Sequence, residues 1–197
     1  MGLTDIKKEL KKLDKNKLIE LFAELYKKNN LVKEFLNFYV NPDEKELLEK
    51  YRDKVFEAFY PKRGNQLKLK EGKQAISDFK KLGVSPELLA DLMLFYVETG
   101  VSFTNDFGDI DEAFYSSLEN TFHTALKLMK KENLLDKFVV RARQVVSDSD
   151  GIGWGFKYYL LEAYEHFFGD FYELQPAKTT EKNIHEGGGK IIKLGRP

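Results

Sequence analysis

The chain contains no cysteine. That absence excludes a disulfide scaffold, a thiolate metal site and a cysteine nucleophile together. An excess of either charge is also missing: 32 Lys and Arg stand against 32 Asp and Glu in 197 residues, a formal net charge of zero. No global field draws such a chain to nucleic acid or anionic lipid, and it lacks the polyanionic composition of a disordered, solvating protein. Long apolar runs are absent. The most apolar stretch, residues 88–97, is broken by Asp91 and is far too short to span a bilayer. The start of the chain, MGLTDIKKELKKLDKNKLIELF, is charged and periodic, without a signal-peptide core or the Ser/Thr of a myristoylation signal. A cytoplasmic protein with no membrane association is the expectation.

Histidine is scarce, and the three present (His123, His166 and His185) form no H-x-x-x-H or H-E-x-x-H pattern, so zinc is not expected. No G-x-S-x-G elbow presents a serine nucleophile, and the C-terminal GGGKIIKLG lacks the P-loop order. Aromatic residues, in contrast, are plentiful at 14%, enough to fill a core well.

Helical periodicity runs through almost the whole chain, and no stretch alternates with period two. Ile6, Leu10 and Leu13 mark a first short helix with Thr4 as its N-cap, and Leu18, Leu21, Phe22 and Leu25 a second, capped by Asp14. A helix over 31–40 ends at Asn41-Pro42, which opens the next one, with Asn41 as N-cap and Leu48, Tyr51, Val55 and Phe59 inward. A basic loop, PKRGNQLKLK, separates this from a helix over 71–82. Ser85-Pro86-Glu87 restarts helix, Gly100 ends it, and residues 101–109 form a second loop. Phe114, Leu118, Phe122, Ala125, Leu126 and Met129 stripe the following helix; another covers 135–146, and an aromatic one runs through Phe168 after the loop 147–153. The prediction is an all-α domain over residues 1–170, with about nine helices in antiparallel pairs. Either a compact bundle or a short α-solenoid-like stack suits that pattern, and residues 171–197, which include three consecutive glycines, read as a flexible tail.

The zero net charge is a sum of unequal blocks. Residues 82–126 hold eight acids and no base, a formal −8, between a +5 block at 60–81 and a +4 block at 127–146. Pairing between neighbouring helices, together with acids at helix starts and bases at helix ends, is the plainer reading of this segregation.

Two acidic loops are the candidate ligand sites. The segment TNDFGDIDE places Asp106, Asp109, Asp111 and Glu112 within seven residues, a set of oxygen donors suited to Ca or Mg, but it lacks the EF-hand order. The favoured reading there is an N-cap, with Asp109 or Asp111 accepting the first helical N–H groups. The segment SDSDGIGWG carries Asp148 and Asp150 and the sole tryptophan, Trp154; placing Gly151 sixth in a calcium loop would put Val146 first and Lys157 twelfth, so that frame fails. A glycine turn, with Trp154 filling a gap between helices, is favoured. If the two loops meet, Asp106, Asp109, Asp111, Asp148, Asp150 and Trp154 become a binding site for a small ligand or a divalent cation.

Several strings together, MGLTDIKKELKKLDK, FYPKRG, LLADLMLFYVETG, FTNDFGDIDEAFY and GIGWGF, resemble an uncharacterised bacterial family of helical proteins, domain of unknown function 6155, over roughly residues 1–170. The resemblance implies a bacterial, cytoplasmic, single-domain protein, and it implies no activity and no catalytic residue. The leading expectation is therefore a non-enzymatic helical adaptor that binds another protein through the acidic face at 82–126. The alternatives are the ligand or Ca/Mg site at 104–112 and 148–154, with or without catalysis, and nucleic-acid binding through the basic loop 61–73.

Overall fold

Caps and apolar periodicity place the helices, and packing then decides where several of them end. The computed structural model describes residues 1–64 and 66–173. Among them are nine helices and no strand: α1 (Leu3–Leu10), α2 (Lys15–Lys28), α3 (Asn30–Val40), α4 (Glu44–Phe59), α5 (Leu69–Lys81), α6 (Pro86–Phe107), α7 (Glu112–Lys131), α8 (Leu135–Asp148) and α9 (Phe156–Phe168). None is long and apolar enough to cross a membrane.

Asp14 caps α2 as expected, accepting from Lys17 N–H at 2.9 Å, and Ser85-Pro86 opens α6. Other boundaries shift. Helix α1 is preceded by Gly2, not Thr4, because the Asp5 carboxylate reaches back to accept the Gly2 N–H at 2.8 Å. Helix α4 is capped by Asp43 rather than Asn41: its carboxylate accepts the Glu46 N–H at 2.9 Å, while Asn41 and Pro42 form the bend before it. Helix α5 begins at Leu69, which shortens the basic loop.

The largest departure is at Gly100, which does not end a helix. Helix α6 continues through it to Phe107, burying Val101 and Thr104, and the turn comes only at Gly108, where φ is +87°. Gly100 is there because α7 presses on it. A Cβ at this position would lie 2.5 Å from Cδ2 of Leu118, so the glycine allows two helices to approach at that point.

Helix α6 is buried on most of its circumference, its apolar residues facing several neighbours and its acids Glu87, Asp91 and Glu98 paired with bases of adjacent helices. It packs against α4, α5, α7 and α8; α7 and α8 in turn pack on α9. From α4 onward the main contacts reach only the next helix and the one after it, which is the pattern of a short stack of helical hairpins. Its core is aromatic: Tyr51, Phe59, Phe79, Tyr96, Phe114, Tyr115, Phe122 and Phe156 are inaccessible or nearly so. Packing extends just past the expected end of the domain, since Phe171 lies against Tyr164 and accepts, through its carbonyl, a hydrogen bond from Arg143. The expected tail from residue 174 onward lies outside the described residues.

The first three helices differ from the rest. None of their residues is buried, and the core begins only at Leu48. They form an arm that leans on α4 through Leu31 and Leu47 and through Glu34, which accepts from Tyr51 Oη and pairs with Lys50 at 2.7 Å.

Candidate functional site

The two acidic loops do meet, at the end of the stack where α6 turns into α7 and α8 into α9. Asp109 joins them. Its Oδ1 accepts from Tyr115 Oη at 2.9 Å and from the Gly153 backbone N–H at 3.1 Å. Beside this contact, Asn105 Nδ2 donates to the Asp148 carbonyl at 3.0 Å. Burial, with Asp109 nearby, pushes the Tyr115 hydroxyl above its ordinary value, so the phenol stays a donor to the carboxylate.

Each of the other predicted ligands is engaged separately. Asp111 is the N-cap of α7, accepting from Phe114 N–H at 2.8 Å, as one of the two favoured candidates. Asp106 accepts from Tyr60 Oη at 2.7 Å, Asp148 from Gln144 Nε2 at 2.6 Å, and Asp150 pairs with Lys157 at 2.7 Å. The Lys157 hydrogen bond holds the Asp150 carboxyl below the usual carboxylate range. Among the described residues, no three His, Asp or Glu side chains stand close enough to share a metal ion. The loops are brought together by a latch of hydrogen bonds rather than by convergent carboxylates.

Trp154 corrects the expectation of a core-filling ring. It is 57% exposed and sits at φ +61°, in the left-handed region. The tight turn into α9 turns the indole outward, and Phe156, two residues on, fills the core in its place.

The latch depends on Gly153. A Cβ there would lie 2.5 Å from Asp109 Oδ2, yet its φ is not in the positive range, so only the contact excludes a side chain. Gly153→Ala is expected to separate the two loops while the helices stay folded. Hydrogen exchange should then rise at residues 149–155 and 108–111, with a stability loss of about 1 kcal/mol; unchanged exchange would mean that Asp109 does not hold the loops.

The acidic block is spent largely inside the fold. Asp91 bridges Arg52 of α4 and Arg141 of α8, the latter at 2.6 Å, while Arg141 also grips Glu98 by two bonds of 2.8 Å. Lys137 of α8 pairs with Glu87. Burial works against the Arg141 charge, but Glu98 and Asp91 outweigh it and raise the guanidinium above its ordinary value. On the neighbouring face of α7, burial and the charge of Glu112 push the Glu119 carboxyl up. Burial, then Lys127 and His166, push His123 down.

Two features were not foreseen from the sequence. The first is an aromatic cleft of about 600 Å³ behind the basic loop, lined among others by Phe59, Tyr60, Phe103, Phe107 and Ile110. Its signal was the four-residue spacing of Phe103 and Phe107, hidden by assigning that segment to a loop. The second is the arm. Eleven large apolar side chains in the first 40 residues are exposed, among them Leu3, Ile19, Phe22, Tyr39 and Val40. No sequence signal separates such a stripe from a core-facing one, because periodicity is the same for both.

The chain belongs to a family of unknown function, DUF6155, whose family model matches residues 1–168. That span includes the arm, the stack and both latched loops. No curated protein and no solved structure matches the chain.

Proposed function

We propose that this protein is a non-enzymatic interaction module whose N-terminal helices are its docking element. The observation that carries the reading is the arm itself: three amphipathic helices with no buried residue, and eleven exposed large apolar side chains within the first 40 residues. Folding of the described residues does not cover this surface; on this reading, association does. The acidic block remains the other docking surface that its composition suggests, but Glu87, Asp91 and Glu98 are held by bases of the same chain, which favours the arm. The setting that goes with this reading is the bacterial cytoplasm, as the family resemblance implies.

Leu3→Glu with Phe22→Glu tests it, since both side chains are more than half exposed and their loss leaves the core intact. The double variant is expected to melt with the wild type but to lose its associations, with itself or with other proteins. Light scattering of the pure chain and quantitative affinity purification from the source cells read those associations. Glu112→Lys, on the acidic block, should keep them. Identical assemblies for wild type and arm variant would overturn the reading.

A further inference from the structure

Among the described residues, helix α1 has no extensive packing with any other helix. Leu3, Ile6 and Leu10 recur along one stripe, with Leu3 71% exposed. Lys7 and Lys11 border that stripe, and neither has an ion-pair partner among the described residues. The result is a short helix with an apolar face and a basic edge.

A complementary surface lies elsewhere on the same chain. Between α3 and the start of α4 is an open groove of about 660 Å³, with Leu36, Phe38, Val40 and Leu47 among its lining. Val40 is 80% exposed. Acids edge the groove: Asp43 and Glu46 stand on the α4 side, Glu46 without an ion-pair partner among the described residues, while Lys50, which also lines it, is paired with Glu34, as is Lys54. The chain's own α1 does not line it.

Resting on the interaction reading above, we infer that the arm's partner is a second copy of this chain, with α1 of each protomer seated in the α3–α4 groove of the other. Charge complementarity supports this occupant: Lys7 and Lys11 supply the sign that Asp43 and Glu46 lack. Reciprocity supports it too. Among its described residues one chain carries both an unpartnered helix and an unfilled groove, so a two-fold exchange covers both surfaces twice over with no further component. An unrelated protein would have to supply a match to each.

The absence of native cysteine makes the test direct. Full-length Lys7→Cys chains are mixed with full-length Glu46→Cys chains under mild oxidation, and the disulfide-linked products are separated without reductant. The mixed dimer is expected to dominate over either self-linked dimer. Light scattering should give twice the chain mass for the wild type, and Lys7→Glu with Lys11→Glu should weaken the dimer at least tenfold. Adding Glu46→Lys to that variant should restore it.

A wild type that stays monomeric up to about 100 µM overturns the inference. So does an intramolecular disulfide in monomers of the Lys7→Cys/Glu46→Cys double variant, or a monomer that binds anionic vesicles through α1. If the monomer captures a different protein and the Leu3→Glu/Phe22→Glu variant does not, the second copy is excluded while the interaction reading stands. If neither self-association nor capture responds to the arm variants, both fall.

Discussion

Replacing Asp91 by alanine is expected to destabilise the fold by about 3 kcal/mol, because one carboxylate holds two guanidinium groups. Its two oxygens go to different helices, Oδ1 to Arg52 on α4 and Oδ2 to Arg141 on α8, while Asp91 itself belongs to α6. The side chain is only 17% exposed, so water replaces the lost contacts incompletely. Arg141 would keep Glu98, and Arg52 would keep the more exposed Glu49. Arg52 is the worse placed of the two, since its Nε is already buried without a hydrogen-bond partner. Surface pairs contribute about 0–1 kcal/mol, and that difference in magnitude makes the prediction decisive. Urea unfolding should show a lower midpoint with an unchanged slope. A loss below about 1 kcal/mol would mean that the clasp behaves as a surface pair.

Filling Gly100 is the second large effect. Alanine in a helix interior is ordinarily worth about 1 kcal/mol over glycine. Here the added methyl would meet Leu118 Cδ2 at 2.5 Å and Cδ1 at 2.7 Å, and Leu118 is fully buried. Overpacking costs of about 1–3 kcal/mol therefore offset or exceed the propensity gain for Gly100→Ala. With Gly100→Val the clash grows while the propensity gain shrinks, and a loss of about 3 kcal/mol or more is expected. The diagnostic is the pair with Leu118→Ala. That change alone leaves a cavity and costs about 2–5 kcal/mol, but the valine should fill part of the space, so the double variant should lose less than the sum. Strict additivity would show that α6 and α7 do not compete for this volume.

How much was legible in the sequence differs from feature to feature for physical reasons. The helices were readable because an apolar stripe with period 3.6 and a side-chain oxygen at its start are local properties. Asp14, Ser85-Pro86 and the stripe from Phe114 to Met129 all stand where the pattern put them. Helix ends were less legible where packing overrides local preference. Gly100 has the lowest helix propensity of any residue but proline, yet the helix passes through it because a buried leucine needs the space. Losing that turn also hid Phe103 and Phe107, which the longer helix brings to the aromatic cleft. At the loops, spacing showed four carboxylates close together but not which way they point. Asp109 turns to Tyr115 and Gly153, Asp111 to its own helix, and Asp106 to Tyr60, so proximity in sequence did not become a shared site.

The balanced charge follows the same division. Composition alone determined that this chain has no net charge and no thiol, and periodicity determined that helices build it. Local sequence determined that its acids and bases lie in separate blocks. Only the tertiary structure decided that α6 would be enclosed by α4, α5, α7 and α8, and that its acids would meet the arginines of α4 and α8. Among the described residues it also left the stripe of α1 to α3 uncovered, although that stripe has the same periodicity as those in the core. Periodicity states that a face is apolar; what covers the face depends on which helices reach it, and the helices of this core pack mainly on their near neighbours in the stack.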